Sequence, residues 1–212
     1  MVYIYVTNIQ SLPDPKEYPE IMQGLPEERQ QKIMKFKQSK DRIQSLGAGL
    51  LLQQVLQKYE ISMQNIRLGD GGKPEVEGIC FNLSHSKDYA VCAVSGKNVG
   101  CDVEKIGDAP FRKIEQRFSE NEVRYLSEIP EERQKEEFYR LWTMKESYLK
   151  MTGEGLRIPL NKFEMEFGAE VRVYRDGKCC NCHMKEYRIP GYKLAVCAEE
   201  AEFAEDVEYL QV

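Results

Sequence analysis

Long apolar runs are missing from this sequence. Its apolar stretches are short, Leu50–Leu52 among them, whereas a membrane-spanning helix needs about 20 such residues, so no membrane partner is expected. Basic charge is not in excess either: 30 lysines and arginines stand against 35 aspartates and glutamates, a net charge of −5. That is a poor start for a general nucleic-acid binder, and none is expected. The opening Met1–Ile9 alternates like a strand and lacks a basic n-region and a cleavage site, so no signal peptide is read there. The seven cysteines, an odd number in a chain of 212 residues, are then expected as reduced thiols in a cytoplasmic protein. No low-complexity linker divides the chain, and no G-x-G-x-x-G, Walker A or G-x-S-x-G pattern occurs in it.

What is there repeats. Leu25–Gln31 (LPEERQQ) returns 104 positions later as Ile129–Lys135 (IPEERQK), and Ala90–Ala93 (AVCA) returns 105 later as Ala195–Ala198. The strand-like Tyr3–Ile9 has a counterpart in Val99–Ile106, near an offset of 97. Three echoes in one order point to an internal duplication: an α/β (α+β) fold of two similar halves, 1–97 and 98–212, packed as a pseudo-dimer. A chain that completes its own two-half site is expected to be a monomer. Pro26 opens one helix and a second runs from about Asp41 to Tyr59. Gly69–Pro74 breaks the pattern, and strands follow at Ile79–Leu83, Tyr89–Val94 and Val99–Glu104. Ser119 and Glu122 form a capping box, and the longest helix of the second half runs from Pro130 to near Gly153. Strands at 162–167, 171–174, 185–189 and 192–198 complete the chain. The acid-rich tail from Glu199 to Glu208 reads as a solvated end.

Asp102 and Glu104 lie two apart on a strand, so both carboxylates emerge on one face while Cys101 and Val103 point into a core. Side by side they repel each other unless a cation lies between them, and hard oxygen donors suit Mg²⁺. Two merely solvated acids at a sheet edge would look the same. On the long helix, Glu146 and Lys150 are one turn apart, which by itself is also an ordinary helix-stabilising pair worth about 0.2–0.5 kcal/mol. Trp142 sits one turn earlier and can anchor the helix in the core.

Taken together, Val99–Glu104 (VGCDVE) and the helix stretch Trp142–Lys150 (WTMKESYLK), whose Glu146 lies 44 positions on from Asp102, resemble the two signature motifs of the Sfp-type 4'-phosphopantetheinyl transferases. Asn82–Ser86 (NLSHS) and Gly72-Lys73-Pro74 resemble further motifs of that family, so the likeness covers nearly the whole chain. Cys101 stands where an aliphatic residue is usual. Gln44-Ser45 stands where the second helix of the family often carries Arg-Ser or Arg-Thr, which leaves Arg42 as the substitute.

The resemblance implies transfer of the phosphopantetheine arm of coenzyme A to a serine of an acyl or peptidyl carrier protein, with release of adenosine 3',5'-bisphosphate. It implies Mg²⁺, with Mn²⁺ as a stand-in, held by Asp102, Glu104 and Glu146. Glu146, directly or through water, takes the serine proton, Lys150 neutralises or protonates the leaving phosphate, and Lys145 holds a pyrophosphate oxygen. Arg29 and Lys32, from the basic island 29–42, are expected on the 3'-phosphate, with Arg42 nearby. Lys73-Pro74 is expected beside the adenine or phosphates, and Ser84 and His85 on a phosphate; a plain turn and a structural histidine are the bland alternatives. The carrier, of fatty-acid, polyketide, nonribosomal-peptide or lysine metabolism, is expected to dock at Gly153–Pro190 through an apolar patch that includes Leu156 and Ile158. Two other readings stay open: a coenzyme A- or carrier-binding protein without turnover, and an interaction module with decorative acids. Cys179–His183 packs its four donors too closely for a usual structural zinc site and reads as a loop between strands.

Overall fold

A computed structural model describes residues 1–69, 73–107 and 111–212, without the side chains of Phe111 and Leu156; Asp70–Gly72 of the expected turn lie outside them. In chain order the elements are β1 (Tyr3–Asn8), α1 (Glu27–Met34), α2 (Ser39–Lys58), β2 (Arg67–Leu68), β3 (Pro74–Glu75), β4 (Cys80–Ser86), β5 (Tyr89–Ser95) and β6 (Val99–Lys105). They continue as α3 (Phe111–Ile114), α4 (Glu120–Glu128), α5 (Glu131–Thr152), β7 (Phe163–Phe167), β8 (Val171–Arg175), β9 (Lys178–Cys179), β10 (His183–Ile189), β11 (Tyr192–Ala198) and β12 (Glu208–Tyr209). Two sheets carry the architecture, ordered β12-β1-β5-β4 and β10-β11-β6.

Alternation along the strands decides the layering. In β5, Ala90, Cys92 and Val94 pack in one cluster with Leu46, Leu51 and Val55 of α2, while Val91 and Ala93 turn to the other sheet. β11 repeats this: Ala195 and Cys197 meet Leu141, Met144 and Leu149 of α5, and Leu194, Val196 and Ala198 join the core between the sheets. Each fully buried valine, leucine or methionine side chain among them contributes about 1.5–3 kcal/mol. Both halves thus set a hairpin beside an earlier strand and cover the sheet with one long helix.

The helix carrying the second motif is closely fixed. The Ser119/Glu122 capping box forms and starts α4, Pro130 is the N-cap of α5, and Gly153 ends α5 at φ +73°, a conformation glycine adopts without steric cost. Against β6, α5 comes so close that a Cβ on Gly100 would stand 2.1 Å from the Ser147 carbonyl oxygen.

The acidic tail is not a solvated end. β12 pairs in parallel with β1, Leu210 and Val212 pack on the α2 core, and Phe203 and Val207 on the core between the sheets. Apolar residues spaced among the acids let the segment bury one side while Glu202, Glu205, Asp206 and Glu208 stay exposed. Among the described residues no helix is long and apolar enough to cross a membrane.

Candidate active site

The alternation Asn82, Ser84, Ser86 puts three short polar side chains on one face of β4, opposite β6 of the other sheet. They do what strand backbone would otherwise do. Asn82 Oδ1 accepts from the Cys101 amide at 2.9 Å, and Ser84 Oγ and Ser86 Oγ accept from the Val103 and Lys105 amides, each at 3.2 Å. The same hydroxyls donate to the two acids: Ser84 to Asp102 Oδ1 at 3.0 Å and Ser86 to Glu104 Oε2 at 2.8 Å. Ser84 is thereby corrected from a phosphate ligand to a residue that orients Asp102, its hydrogen-bonding capacity being taken up in the seam.

Lys150 reaches this seam from α5. Its ammonium donates to Asp102 Oδ1 at 2.6 Å, to Ser84 Oγ at 3.1 Å and to the Cys101 carbonyl at 3.1 Å. Asp102 is buried, 5% exposed. Burial raises its pKa, partly offset by Lys150. Burial likewise raises the pKa of Glu104 and Glu146, and the charge of Asp102 pushes both further up. The three carboxylates therefore feel one another across β6 and α5.

Two buried carboxylate oxygens, Asp102 Oδ2 and Glu146 Oε1, have no hydrogen-bond partner among the described residues. An unpaired buried carboxylate oxygen is costly and calls for a cation, and hard oxygen donors of this kind fit Mg²⁺. No three carboxylate, imidazole or thiol groups converge into a preformed centre among the described residues; the donors fit Mg²⁺ in type, with Lys150 already on one of them. The cysteine cluster likewise forms no converged metal centre among the described residues: Cys180 meets the Tyr148 hydroxyl and Cys197 meets the Met151 sulfur.

The expected coenzyme A residues divide. Arg29, on α1, donates from Nη2 to the Ser45 carbonyl at 2.8 Å, while its buried Nε has no partner among the described residues. Burial lowers its pKa. Lys32, one turn on, is exposed. His85 projects from the other face of β4 and keeps its ring open to solvent; partial desolvation and the charges of Lys150 and Arg29 lower its pKa. Lys73 donates to the Lys150 carbonyl at 3.2 Å and, with Asn98, Met151 and Arg157, lines a cavity of about 390 Å³. Pro74, beside it, begins β3 and pairs with Leu68.

Two expectations are corrected by internal partners. Lys145 is fully buried: its ammonium sits 2.7 Å from both oxygens of Glu122 and 2.8 Å from the Phe163 carbonyl, so it cannot reach a pyrophosphate. Arg42 is paired with Asp14, Nε to Oδ1 at 2.7 Å, and its Nη1 caps the Phe36 and Lys37 carbonyls at 2.9 Å each. It staples the α1–α2 turn instead of replacing a phosphate-binding arginine. In the expected docking stretch, Ile158 is half-buried and packs on the α5 core. The side chain of Leu156 lies outside the described ones. Among the described residues, the large apolar ones that are exposed, Met34, Phe36 and Leu68 among them, lie outside Gly153–Pro190. Glu122 and Asp14 were missed as organisers, since a capping acid and a loop acid carry no signal of a distant partner. The period-two polar alternation of β4 was a legible signal for the seam.

A model of the 4'-phosphopantetheinyl transferase superfamily matches residues 98–197, and one of the 4'-phosphopantetheinyl transferase N-terminal region matches 11–97. The chain is 31% identical over 207 residues to the 4'-phosphopantetheinyl transferase Sfp of Bacillus subtilis (strain 168), covering 91% of this chain and 90% of Sfp. It is 36% identical over 177 residues to the 4'-phosphopantetheinyl transferase gsp of Aneurinibacillus migulanus, covering 81% and 75%. Half of the chain also overlays 96% of a holo-(acyl-carrier-protein) synthase from Bacillus anthracis, with a TM-score of 0.43 at 17% identity. With nine-tenths of this chain and of Sfp aligned, the chain belongs to the 4'-phosphopantetheinyl transferase family, enzymes that transfer phosphopantetheine to carrier proteins.

Proposed function

We propose that this transferase takes the 4'-phosphopantetheine arm from coenzyme A and places it on a serine of an acyl or peptidyl carrier protein, using Asp102, Glu104 and Glu146 to hold Mg²⁺ (or Mn²⁺). The observation that carries the proposal is the pair of buried carboxylate oxygens on Asp102 and Glu146 that have no partner among the described residues, with the charge of Asp102 acting on Glu146 between β6 and α5. When bound, the divalent ion would neutralise diphosphate charge and stabilise the charge that grows in the transition state. The protein's own groups do the rest. Glu146, kept basic by its raised pKa, takes the proton of the carrier serine. Lys150 supplies positive charge to the leaving phosphate from one turn away. Arg29, whose buried Nε has no partner among the described residues, holds the 3'-phosphate with Lys32 and His85, and Lys73 and Pro74 border the adenine side. Residues 1–97 bring the coenzyme A contacts and 98–212 the acids. One chain supplies the whole site, which supports a monomer. The seven free cysteines support a reducing, cytoplasmic location.

The carrier is proposed to dock along Gly153–Pro190, at the C-terminal end of α5. Incubation with coenzyme A, Mg²⁺ and a panel of apo carriers should give a carrier mass gain of one phosphopantetheine, abolished by chelation. Coenzyme A binding with no gain on any carrier would overturn the proposal in favour of a binding protein without turnover.

A further inference from the structure

Lys150 makes three bonds with its three ammonium donors: Asp102 Oδ1, Ser84 Oγ and the Cys101 carbonyl. No donor is left for substrate. Its stem crosses from α5 to the face of β6, and the ion pair links a half-buried lysine to the buried Asp102. A divalent ion drawn to Asp102 would share that carboxylate with an ammonium. Whichever oxygen the metal takes, two cations one carboxylate apart repel strongly where water is excluded. The charge of Asp102 acts on both Glu104 and Glu146, yet the three do not form a converged three-ligand centre among the described residues. The ammonium lies on the one that joins them.

We propose that Lys150 is a built-in cation that a divalent ion must displace from Asp102, so that metal loading itself releases the ammonium for the substrate phosphate. This rests on the metal reading above. It ties two events together: the acids converge on the metal only as Lys150 leaves, and Lys150 becomes free to donate only when the metal is in place. Coenzyme A then favours metal binding twice, by ligating the ion with its diphosphate and by offering Lys150 a new partner. The metal alone binds weakly because it bears the cost of breaking the Lys150–Asp102 pair.

The test uses Mn²⁺ alone, without coenzyme A, read by loss of the free-ion paramagnetic resonance signal. Lys150→Met should bind Mn²⁺ about ten-fold more tightly than the wild type, because the competing charge is gone. Lys73→Met removes a neighbouring positive charge but leaves Lys150 on Asp102, so it should change affinity by no more than about two-fold. Lys150→Gln, which can still donate to Ser84 and Cys101, should behave like Lys150→Met and serves if the latter fails to fold. Mg²⁺ should also raise the melting temperature of the Lys150 variants more than that of the wild type. Equal gains in Lys73→Met and Lys150→Met, or no gain in either Lys150 variant, would overturn displacement. Asp102→Asn separates this from failure of the metal reading: unchanged Mn²⁺ binding in that variant removes the site itself.

Discussion

Lys145 and Glu122 form an ion pair at 2.7 Å with side chains 0% and 2% exposed, joining α5 to the N-terminus of α4. The same carboxylate accepts from the Ser119 amide and from the Met165 amide, each at 2.9 Å. One buried acid therefore caps α4, anchors α5 next to Glu146 and ties down β7. Removing one partner strands a buried charge, which typically costs about 3–5 kcal/mol. Lys145→Met and Glu122→Gln should each lower the midpoint of urea unfolding accordingly. The Michaelis constant for coenzyme A should stay close to wild type in the folded fraction. A large rise in that constant with unchanged stability would return Lys145 to the ligand.

Gly100 decides how near the acids come to the base. A Cβ there would stand 2.1 Å from the Ser147 oxygen and 2.3 Å from the Met151 nitrogen, both backbone atoms that cannot swing aside. Gly100→Ala must lift α5 from β6 and should cost about 3 kcal/mol, the upper end for overpacking. Because the lifted turns carry Glu146 and Lys150, turnover should fall by about 100-fold even where the fold survives, as displacements of about 1 Å in a catalytic array do. Urea unfolding and turnover at saturating substrate read the two effects; wild-type turnover in a folded Gly100→Ala protein would show that helix and strand need not touch so closely.

How far the sequence announced all this follows the range of each interaction. Local rules sufficed for the Ser119/Glu122 capping box, the Pro130–Gly153 limits of α5 and the strands around Asp102, because caps and two-residue alternation are written in neighbouring residues. The placing of Asp102 and Glu104 on one face followed from the same alternation. Lys145, Arg42 and Ser84 looked like ligands because charge and hydroxyls near a motif suit phosphate. Their actual partners, Glu122, Asp14 and the Val103 amide, come from distant elements that no local pattern identifies. The tail misled for a related reason. Its acids dominate the composition, while the burial of Leu210 and Val212 depends on a sheet edge formed some 200 residues earlier by β1.

Arg42 and Asp14 give the fold a pH signature of their own. The hydrogen bonds from Arg42 hold the Asp14 carboxyl well below its ordinary value of 3.8. The folded state thus binds that proton less readily than the unfolded one, so the pair stabilises above pH 3.8 and its contribution is lost as pH falls below that value. Asp14→Asn should melt below the wild type at neutral pH, and the gap should narrow in acid, beginning near pH 3.8. Melting curves of both proteins from neutral to strongly acid pH check this; a gap independent of pH would mean the pair contributes through packing alone.

Glu146 carries the opposite sign. Burial first, and then the charge of Asp102, raise its pKa above the ordinary 4.5, and its Oε1 is buried with no partner among the described residues. The folded state therefore holds this proton more firmly than the unfolded chain. Stability is lost as pH rises from 4.5 through the raised value, as the poorly solvated carboxylate gives up its proton. Glu146→Gln removes that loss along with the base. Transfer should fall by about 100-fold or more, while stability at neutral pH should rise by about 1 kcal/mol, a melting temperature about 2–4 °C higher. Below pH 4.5 the wild-type carboxyl is protonated in both states, so the difference between the proteins should close there. A variant that is inactive and also less stable at neutral pH would mean that Glu146 is held for its packing or for a partner within the chain. A more stable but inactive one locates the cost of the site in the uncompensated acid that the reaction uses.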